Sequence, residues 1–269
     1  MSGRGWRRWR RDAEELLVAL ALAALVLVPL GEIVLRRLFH TGIAGATAFQ
    51  QHLTLLIGLL GGALAAREQR LLTLSTLKDL LPEKGQLWAR VFSGALAAGI
   101  SVFLCAAATQ LVQTEREAGK ILAYGVPLWT IQAVMPVSFG VIALRLLRHA
   151  ADRWQGRLVA ALLAGGMVWL GIRPPIAPDL LVLPALATLL LAVMFGAPIF
   201  VLLGGAALIL FWGQELPIAS VALTHYSMVT NPTLPTVPLF TLAGYFLAEG
   251  GASKRLIRVF QAVFGQFRG

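Results

Sequence analysis

Small polar side chains stand among prolines in one stretch, and their types are the ones that could do chemistry here. Asn231, Thr233 and Thr236 fall within NPTLPTVP, residues 231–238, directly before an apolar run. Proline lacks a backbone donor and frees a carbonyl one turn earlier. Freed carbonyls and small polar groups at membrane depth can line a path or coordinate a cation. The pattern makes these three residues candidates for a substrate or ion path, and an extended loop packed between helices is the alternative.

Helix-breaking residues interrupt the apolar pattern in two places. Pro235 and Pro238 predict a break just before the last apolar run. Gly196 and Pro198 divide residues 180–214, which carry no charge. As one helix this segment would measure roughly 50 Å at ~1.5 Å per residue, too long for one pass through ~30 Å of hydrocarbon. The sequence therefore favours two spans with a tight break between them.

Charged residues beside the apolar runs predict contacts with each other or with lipid. Glu32 lies one helical turn before Arg36, so an intrahelical pair is the simplest interpretation, and a contact with another helix or subunit is the alternative. Lys254, Arg255 and Arg258 share one face of a predicted helix whose other face is apolar. Such a helix is expected to lie along the membrane surface.

Small residues spaced four apart predict close helix packing. Gly58 and Gly62 form a GxxxG pattern, and Ala95 and Gly99 repeat it with small side chains. In lipid, helices associate through packing, and small residues let their backbones approach.

Signatures of catalysis and of metal binding are missing from the sequence. The histidines His40, His52, His149 and His225 are scattered without metal-ligand spacing, and most of them are expected to be interfacial. The single cysteine, Cys105, excludes a disulfide framework. The chain is therefore expected not to be an enzyme and to hold no cofactor or metal. The lack of a Walker motif also argues against ATP hydrolysis.

Composition places the chain in the membrane. Of 269 residues 58% are hydrophobic and 13% are charged, and the mean hydropathy is +0.76. Soluble domains carry about 25% charged residues. The net charge of +10 fits basic loops that meet anionic lipid, and nucleic acid is not expected as a partner. The fold class is predicted to be an all-α polytopic membrane protein.

Lysine and arginine counts predict the orientation of the spans. With a cytoplasmic N-terminus and two passes in residues 180–213, the cytoplasmic segments hold 18 basic residues and the opposite segments hold 5. This bias obeys the positive-inside rule. The apolar segment 216–226 is expected to be interfacial, and 234–248 to be the last crossing. A further interfacial helix is expected at residues 74–81, where leucines share a face.

Several motifs resemble one family of transporters. PLFTLAGYFLAEGGASKRLIRVFQAVFG at 238–265 and GAPIFVLLGGAALILF at 196–211 resemble the opening of the large membrane subunit of tripartite ATP-independent periplasmic (TRAP) transporters. VLRRLFHTGI at 34–43, GLLGGALAAREQR at 58–70 and YGVPLWTIQAVMPVSFGVIALRLL at 124–147 resemble the small four-helix subunit. The resemblance covers nearly the whole chain.

The resemblance implies a fusion of the two subunits. Residues 1–150 would form the small-subunit-like four-helix membrane domain, and 151–178 the connecting helix and linker. Residues 179–269 would form the incomplete N-terminal part of the large-subunit-like transport domain, with its first scaffold helices and arm helix. The chain departs from the family at ATAFQQH, residues 46–52, where the small subunit carries a tryptophan and acidic residues.

The function implied by the resemblance is sodium-driven uptake in the bacterial inner membrane. The substrate would be an organic acid, a C4-dicarboxylate or a sialic-acid-like carboxylate, delivered by a periplasmic solute-binding protein. The sodium and substrate sites would lie in re-entrant hairpins of the remainder of the large subunit, beyond Gly269. The chain is therefore expected to be truncated and not to transport alone.

A non-transporting membrane scaffold or assembly protein is the alternative. It explains the helical bundle and the missing chemistry, but not the proline-broken run followed by a basic arm. The genomic sequence downstream of Gly269 distinguishes the two hypotheses.

Overall fold

The computed structural model of the chain describes residues 3–74, 81–122, 124–175 and 177–264, and there it consists of helices joined by short connections. Five helical stretches are long and apolar enough to cross a bilayer, which confirms the prediction of an all-α polytopic membrane protein. The helix expected at 74–81 falls almost entirely outside the described residues. The helices are α1 (Gly3–Phe39), α2 (Ala46–Arg67), α3 (Glu83–Ala118), α4 (Leu128–Gln132), α5 (Val134–His149), α6 (Trp154–Ile172), α7 (Pro178–Met194), α8 (Ile199–Gly213), α9 (Ala219–Val229), α10 (Thr236–Glu249) and α11 (Ala252–Phe264).

Helix α3 forms the centre of the protein. It packs against every helix from α4 to α9. Of its most apolar segment 67% is buried, against 11% in α1 and in α6. The covered face is rich in alanine, and Ala97, Ala98, Ala107 and Ala108 are fully buried. These small side chains let the surrounding backbones approach α3, which compensates for the weak hydrophobic driving force between helices in lipid.

Ion pairs connect the ends of several helices at one end of the bundle, which we call the first end. The Glu14 carboxylate of α1 accepts hydrogen bonds from Arg67, the last residue of α2, at 3.1 Å and from Arg145 of α5 at 2.5 Å. Near the start of α3, Arg90 pairs with Asp152 at 3.0 Å, just before α6 begins. Helices α1, α3 and α6 therefore run away from the first end, and α2 and α5 run toward it.

Helices α7 and α8 form an antiparallel hairpin. Gly205 of α8 lies against Leu189 of α7, and Gly213 lies against Val182. A methyl group added at Gly205 would come within 2.9 Å of the Leu189 side chain. The hairpin turns at Gly196, whose φ of 99° belongs to the left-handed region that favours glycine.

The hairpin turn docks onto the segment that follows α2. The backbone N–H of Ile199 donates to the Leu72 carbonyl at 2.9 Å, and Thr73 forms an antiparallel bridge with Pro198. Pro198 is the residue before α8 and has extended φ and ψ. The turn is thus held at the first end, because α2 finishes there.

The small residues singled out in the sequence have different surroundings. A methyl group added at Gly58 would meet no atom within 4 Å, and one at Gly62 would touch only Ile142, at 3.9 Å. On α3, by contrast, Ala95 is buried and a methyl group added at Gly99 would collide with Met167 of α6. Of the two predicted small-residue pairs, only the pair on α3 therefore lies at a close contact with another helix.

Helix α9 covers most of the apolar segment 216–226 and packs against α3. Val221 and Ala222 are buried on the side that faces the bundle, and most of the other residues of α9 are exposed. The interfacial position of this segment stays a prediction.

Candidate functional site

The three polar residues of the proline-rich stretch form a hydrogen-bonded turn. Asn231 Oδ1 accepts from the backbone N–H of Thr233 at 3.0 Å and from the Thr233 hydroxyl at 2.7 Å. The Thr236 hydroxyl donates to the Thr233 carbonyl at 2.5 Å. An asparagine that bonds the backbone two residues later forms an Asx-turn. All three side chains are exposed. Their role in a substrate or ion path stays a prediction.

This turn separates two short helices. Pro235 is the buried residue immediately before α10, and Pro238 lies in the first turn of α10, where a missing N–H removes no intrahelical bond. Helix α9 has 11 residues and α10 has 14. At ~1.5 Å per residue they measure about 16 Å and 21 Å, so neither crosses ~30 Å of hydrocarbon alone. A crossing here requires both helices and the turn between them.

Helices α10 and α11 present apolar surface that the described part of the chain leaves open. None of the residues of α10 is buried. On α11, Lys254, Arg255 and Arg258 occupy one face, Leu256 and Ile257 lie on the other, and all five are exposed. A surface of this kind is covered by lipid or by further protein.

The charge pair of α1 is formed within the helix, which is the simpler of the two predicted arrangements. Glu32 and Arg36 approach to 2.6 Å within the helix, and the arginine side chain is largely exposed. Exposed pairs of this type contribute at most ~1 kcal/mol to stability.

A buried histidine links the first four spans to α9. His52 is 5% exposed, so its side chain is covered by protein. Its Nδ1 lies 2.7 Å from the Ala48 carbonyl, and its Nε2 lies 2.7 Å from the Tyr226 hydroxyl. Because a carbonyl can only accept, Nδ1 donates to Ala48, and Nε2 shares a hydrogen bond with the Tyr226 hydroxyl.

Two further polar side chains lie near the Tyr226 hydroxyl. Gln132, at the end of α4, is fully buried beside it. Glu115 of α3 is 7% exposed and near enough to act on it electrostatically. Glu115 Oε1 accepts from Lys120 at 3.0 Å. We call His52, Glu115, Gln132 and Tyr226 the polar cluster.

The sequence carried no signal for this cluster. Its members come from four different helices, and His52 and Tyr226 are 174 positions apart. Each residue alone resembles an ordinary polar residue near the end of a span. Only the packing of α9 against α3 brings them together.

Comparison with known families divides the chain into two matched regions. Residues 8–156 match the family described as tripartite ATP-independent periplasmic transporters, DctQ component. Residues 186–269 match the tripartite ATP-independent periplasmic transporter DctM component. Most of α6 lies between the two regions.

Curated relatives carry the same family names. The chain is 31% identical over 158 residues to the isethionate TRAP transporter permease protein DctMQ of Oleidesulfovibrio alaskensis, which covers 55% of this chain and 24% of that protein. It is 41% identical over 76 residues to the C4-dicarboxylate TRAP transporter large permease protein DctM of Vibrio cholerae, covering 28% and 17%. The corresponding protein of Rhodobacter capsulatus is 39% identical over 83 residues, covering 30% and 19%. The matched residues thus span about a quarter or less of these relatives.

Proposed function

The chain belongs to the tripartite ATP-independent periplasmic transporters and joins sequences of the small and large membrane components, and we propose that it is a membrane component of a secondary transporter that imports an organic acid. The observation that carries the proposal is the succession of both matches in one polypeptide, at residues 8–156 and 186–269. The helical bundle supplies the membrane-spanning frame that such a component needs.

The substrate is a small organic anion delivered by a periplasmic solute-binding protein. The named substrates of the relatives, isethionate and C4-dicarboxylates, are both of this class. A sialic-acid-like carboxylate belongs to the same chemical class. Sodium is the coupling ion, and the Asn231–Thr236 turn is a candidate for the ion or substrate path because Asn231, Thr233 and Thr236 are exposed polar residues.

The first end of the bundle faces the cytoplasm of a bacterial cell whose inner membrane holds the chain. Of the 23 lysines and arginines, 18 fall in the segments assigned to that side. The positive-inside rule orients spans by this bias. The broken pair α9–α10 then returns the chain to the cytoplasmic side, where the basic face of α11 meets anionic lipid.

Uptake by the source bacterium tests the transport proposal. Deletion of the coding gene should abolish uptake of one radiolabelled anion from a panel of succinate, sialic acid and isethionate, and replacing external sodium by potassium should abolish it equally. Loss of the binding protein alone should reproduce the defect. Unchanged uptake of all three anions in the deletion strain would contradict this substrate class, whereas uptake that survives in potassium would contradict sodium coupling only.

The scaffold alternative has a distinct outcome. A chain that only assembles other proteins would leave uptake intact in its own deletion strain and would change the abundance of another membrane complex. Quantitative membrane proteomics of the deletion strain distinguishes the two functions.

A further inference from the structure

A pocket lies at the first end of the bundle, between the two matched regions. It measures about 140 Å³ and is bounded by the end of α2 and the segment after it, the start of α3, the end of α5 and the turn between α7 and α8. We call it the first-end pocket. A water molecule takes about 30 Å³ of liquid volume, so the pocket has room for a polyatomic group such as a phosphate. The polar residues of its lining are Gln69, Thr73, Arg90, Ser93 and His149.

The lining of the first-end pocket favours a negatively charged ligand. No aspartate or glutamate is among the described residues that line it. The Arg90 guanidinium donates to the His149 carbonyl at 3.1 Å and to the two carboxylate oxygens of Asp152 at 3.0 Å and 3.1 Å. The described part of the chain thus engages three of its five N–H groups, and two remain for a ligand. The Asp152 side chain is 82% exposed and does not line the pocket.

Further donors lie around the same pocket. Among the described residues, the side chains of Gln69, Thr73 and His149 form no hydrogen bond with one another or with the rest of the protein. An amide, a hydroxyl and an imidazole can each donate to an anionic oxygen. Together with Arg90 they provide the donor set that a phosphate group requires.

The surroundings of the pocket suit a phospholipid better than a soluble anion. Leu72 and Leu74 follow α2 and are 74% and 53% exposed. Arg70 and Arg148 are also exposed, and each is next in sequence to a residue of the lining. Exposed apolar and basic side chains occur together where acyl chains meet headgroups. Basic pockets between membrane helices on the cytoplasmic side bind anionic headgroups.

We propose that the first-end pocket binds the phosphate of an anionic phospholipid, and that this lipid joins the α7–α8 turn to α2, α3 and α5. The Ile199 N–H already donates to the Leu72 carbonyl at 2.9 Å beside the pocket. A headgroup that contacts both matched regions stabilises their docked arrangement, because it binds to that arrangement only. The assignment to the cytoplasmic leaflet rests on the orientation given under the proposed function. Lipid binding by the purified chain does not depend on transport, so the two can fail separately.

Binding of lipids to the purified chain tests the headgroup. Native mass spectrometry from detergent measures the dissociation constant of the first bound lipid. Phosphatidylglycerol, which is anionic, is expected to bind about tenfold more tightly than phosphatidylcholine, whose phosphate is neutralised by its own cation. Equal affinities of the two lipids would overturn the proposal. Displacement of phosphatidylglycerol by millimolar inorganic phosphate would assign the pocket to a soluble phosphate and overturn the lipid.

Two substitutions that break the same ion pair locate the site. Arg90→Gln and Asp152→Asn both remove the pair, so a purely structural role predicts the same change in lipid binding for both. The proposal predicts different changes. Arg90→Gln should weaken phosphatidylglycerol binding about tenfold, the loss of one hydrogen bond to a charged group. Asp152→Asn should leave the affinity unchanged or raise it, because the competing carboxylate is gone.

Matched controls complete this test. Arg173→Gln removes an exposed positive charge after the end of α6, away from the first end, and should leave lipid binding unchanged. His149→Leu keeps the ion pair and should weaken phosphatidylglycerol binding, which tests the pocket even if loss of the pair disturbs folding. Unchanged binding in both Arg90→Gln and His149→Leu would place the lipid elsewhere and overturn the proposal, and so would equal weakening in Arg90→Gln and Asp152→Asn.

Hydrogen exchange tests the role of the lipid at the turn. Phosphatidylglycerol should slow the exchange of backbone amides in residues 196–201 of the parent chain, and it should not do so in Arg90→Gln. Exchange at the turn that the lipid leaves unchanged in the parent chain would show that the headgroup does not join the two regions.

Discussion

Gly94 of α3 is a position where one added methyl group should be harmful. A Cβ atom at this position would lie 2.8 Å from the Cβ and 3.1 Å from the Cα of Ala150, just beyond the end of α5. Nonbonded carbon atoms prefer about 3.5–4.0 Å. Because one of the colliding atoms belongs to the backbone, no side-chain rotation relieves the contact. Gly58 of α2 is the matched control, since a methyl group there would meet nothing within 4 Å.

The magnitude follows from two opposing effects. Replacing glycine by alanine inside a helix gains about 1 kcal/mol at either position through helix propensity. Overpacking a close contact costs about 1–3 kcal/mol and applies only to Gly94. Gly58→Ala should therefore stabilise the chain by about 1 kcal/mol, and Gly94→Ala should be neutral or destabilising by up to about 2 kcal/mol.

Thermal unfolding in detergent measures the difference. Seven tryptophans provide the fluorescence signal. A gap of about 1–3 kcal/mol between the two variants corresponds to roughly 2–12 °C in melting temperature. Equal increases in the two variants would refute the reasoning, because they would show that α5 and α3 separate without cost. A larger loss in Gly58→Ala would instead place the close helix contact on α2.

Two further predictions concern the charged ends of the bundle. Glu14→Gln should lower the free energy of unfolding by about 1.5–3 kcal/mol, since the Glu14 carboxylate accepts from two largely buried arginines. Glu15→Gln is the control and should cost no more than about 1 kcal/mol, because the Glu15 carboxylate is exposed. Equal melting temperatures of the two variants would contradict this prediction. The orientation can be tested with single cysteines in a Cys105→Ser background. Arg173→Cys should react with a membrane-impermeant maleimide in intact cells, whereas Arg258→Cys should react only after permeabilisation. The opposite pattern would reverse the orientation.

The sequence predicts elements well where the signal is local. Residues 180–214 are too long for one span and contain Gly196 and Pro198, so length and backbone chemistry together require a hairpin. The pair Glu32–Arg36 follows from helical spacing alone. In these cases the residues that decide the structure are neighbours in the chain.

The sequence predicts poorly where the signal depends on a partner. The spacing of Gly58 and Gly62 resembles that of Ala95 and Gly99, yet a methyl group would collide with a neighbouring helix only at Gly99. Small side chains allow two helices to pack closely, but they do not determine which helix is the partner. The central position of α3 and the packing of α9 against it depend on such pairings, and so does the polar cluster.

Because α6 joins the two matched regions covalently, the contacts around α9 need less affinity to hold these regions together. Helix α6 packs against α3 through Met167 and Gly99. Near the end of α6, the Gly171 carbonyl accepts a hydrogen bond from the Trp212 indole of α8 at 3.0 Å. Within one polypeptide, the two matched regions meet at an effective concentration on the order of millimolar. Contacts that are too weak to assemble separate subunits are then sufficient to hold the two regions together. The hydrogen bond between His52 and Tyr226 can then help to join the two regions, whereas two independent chains would require an interface that is stable by itself.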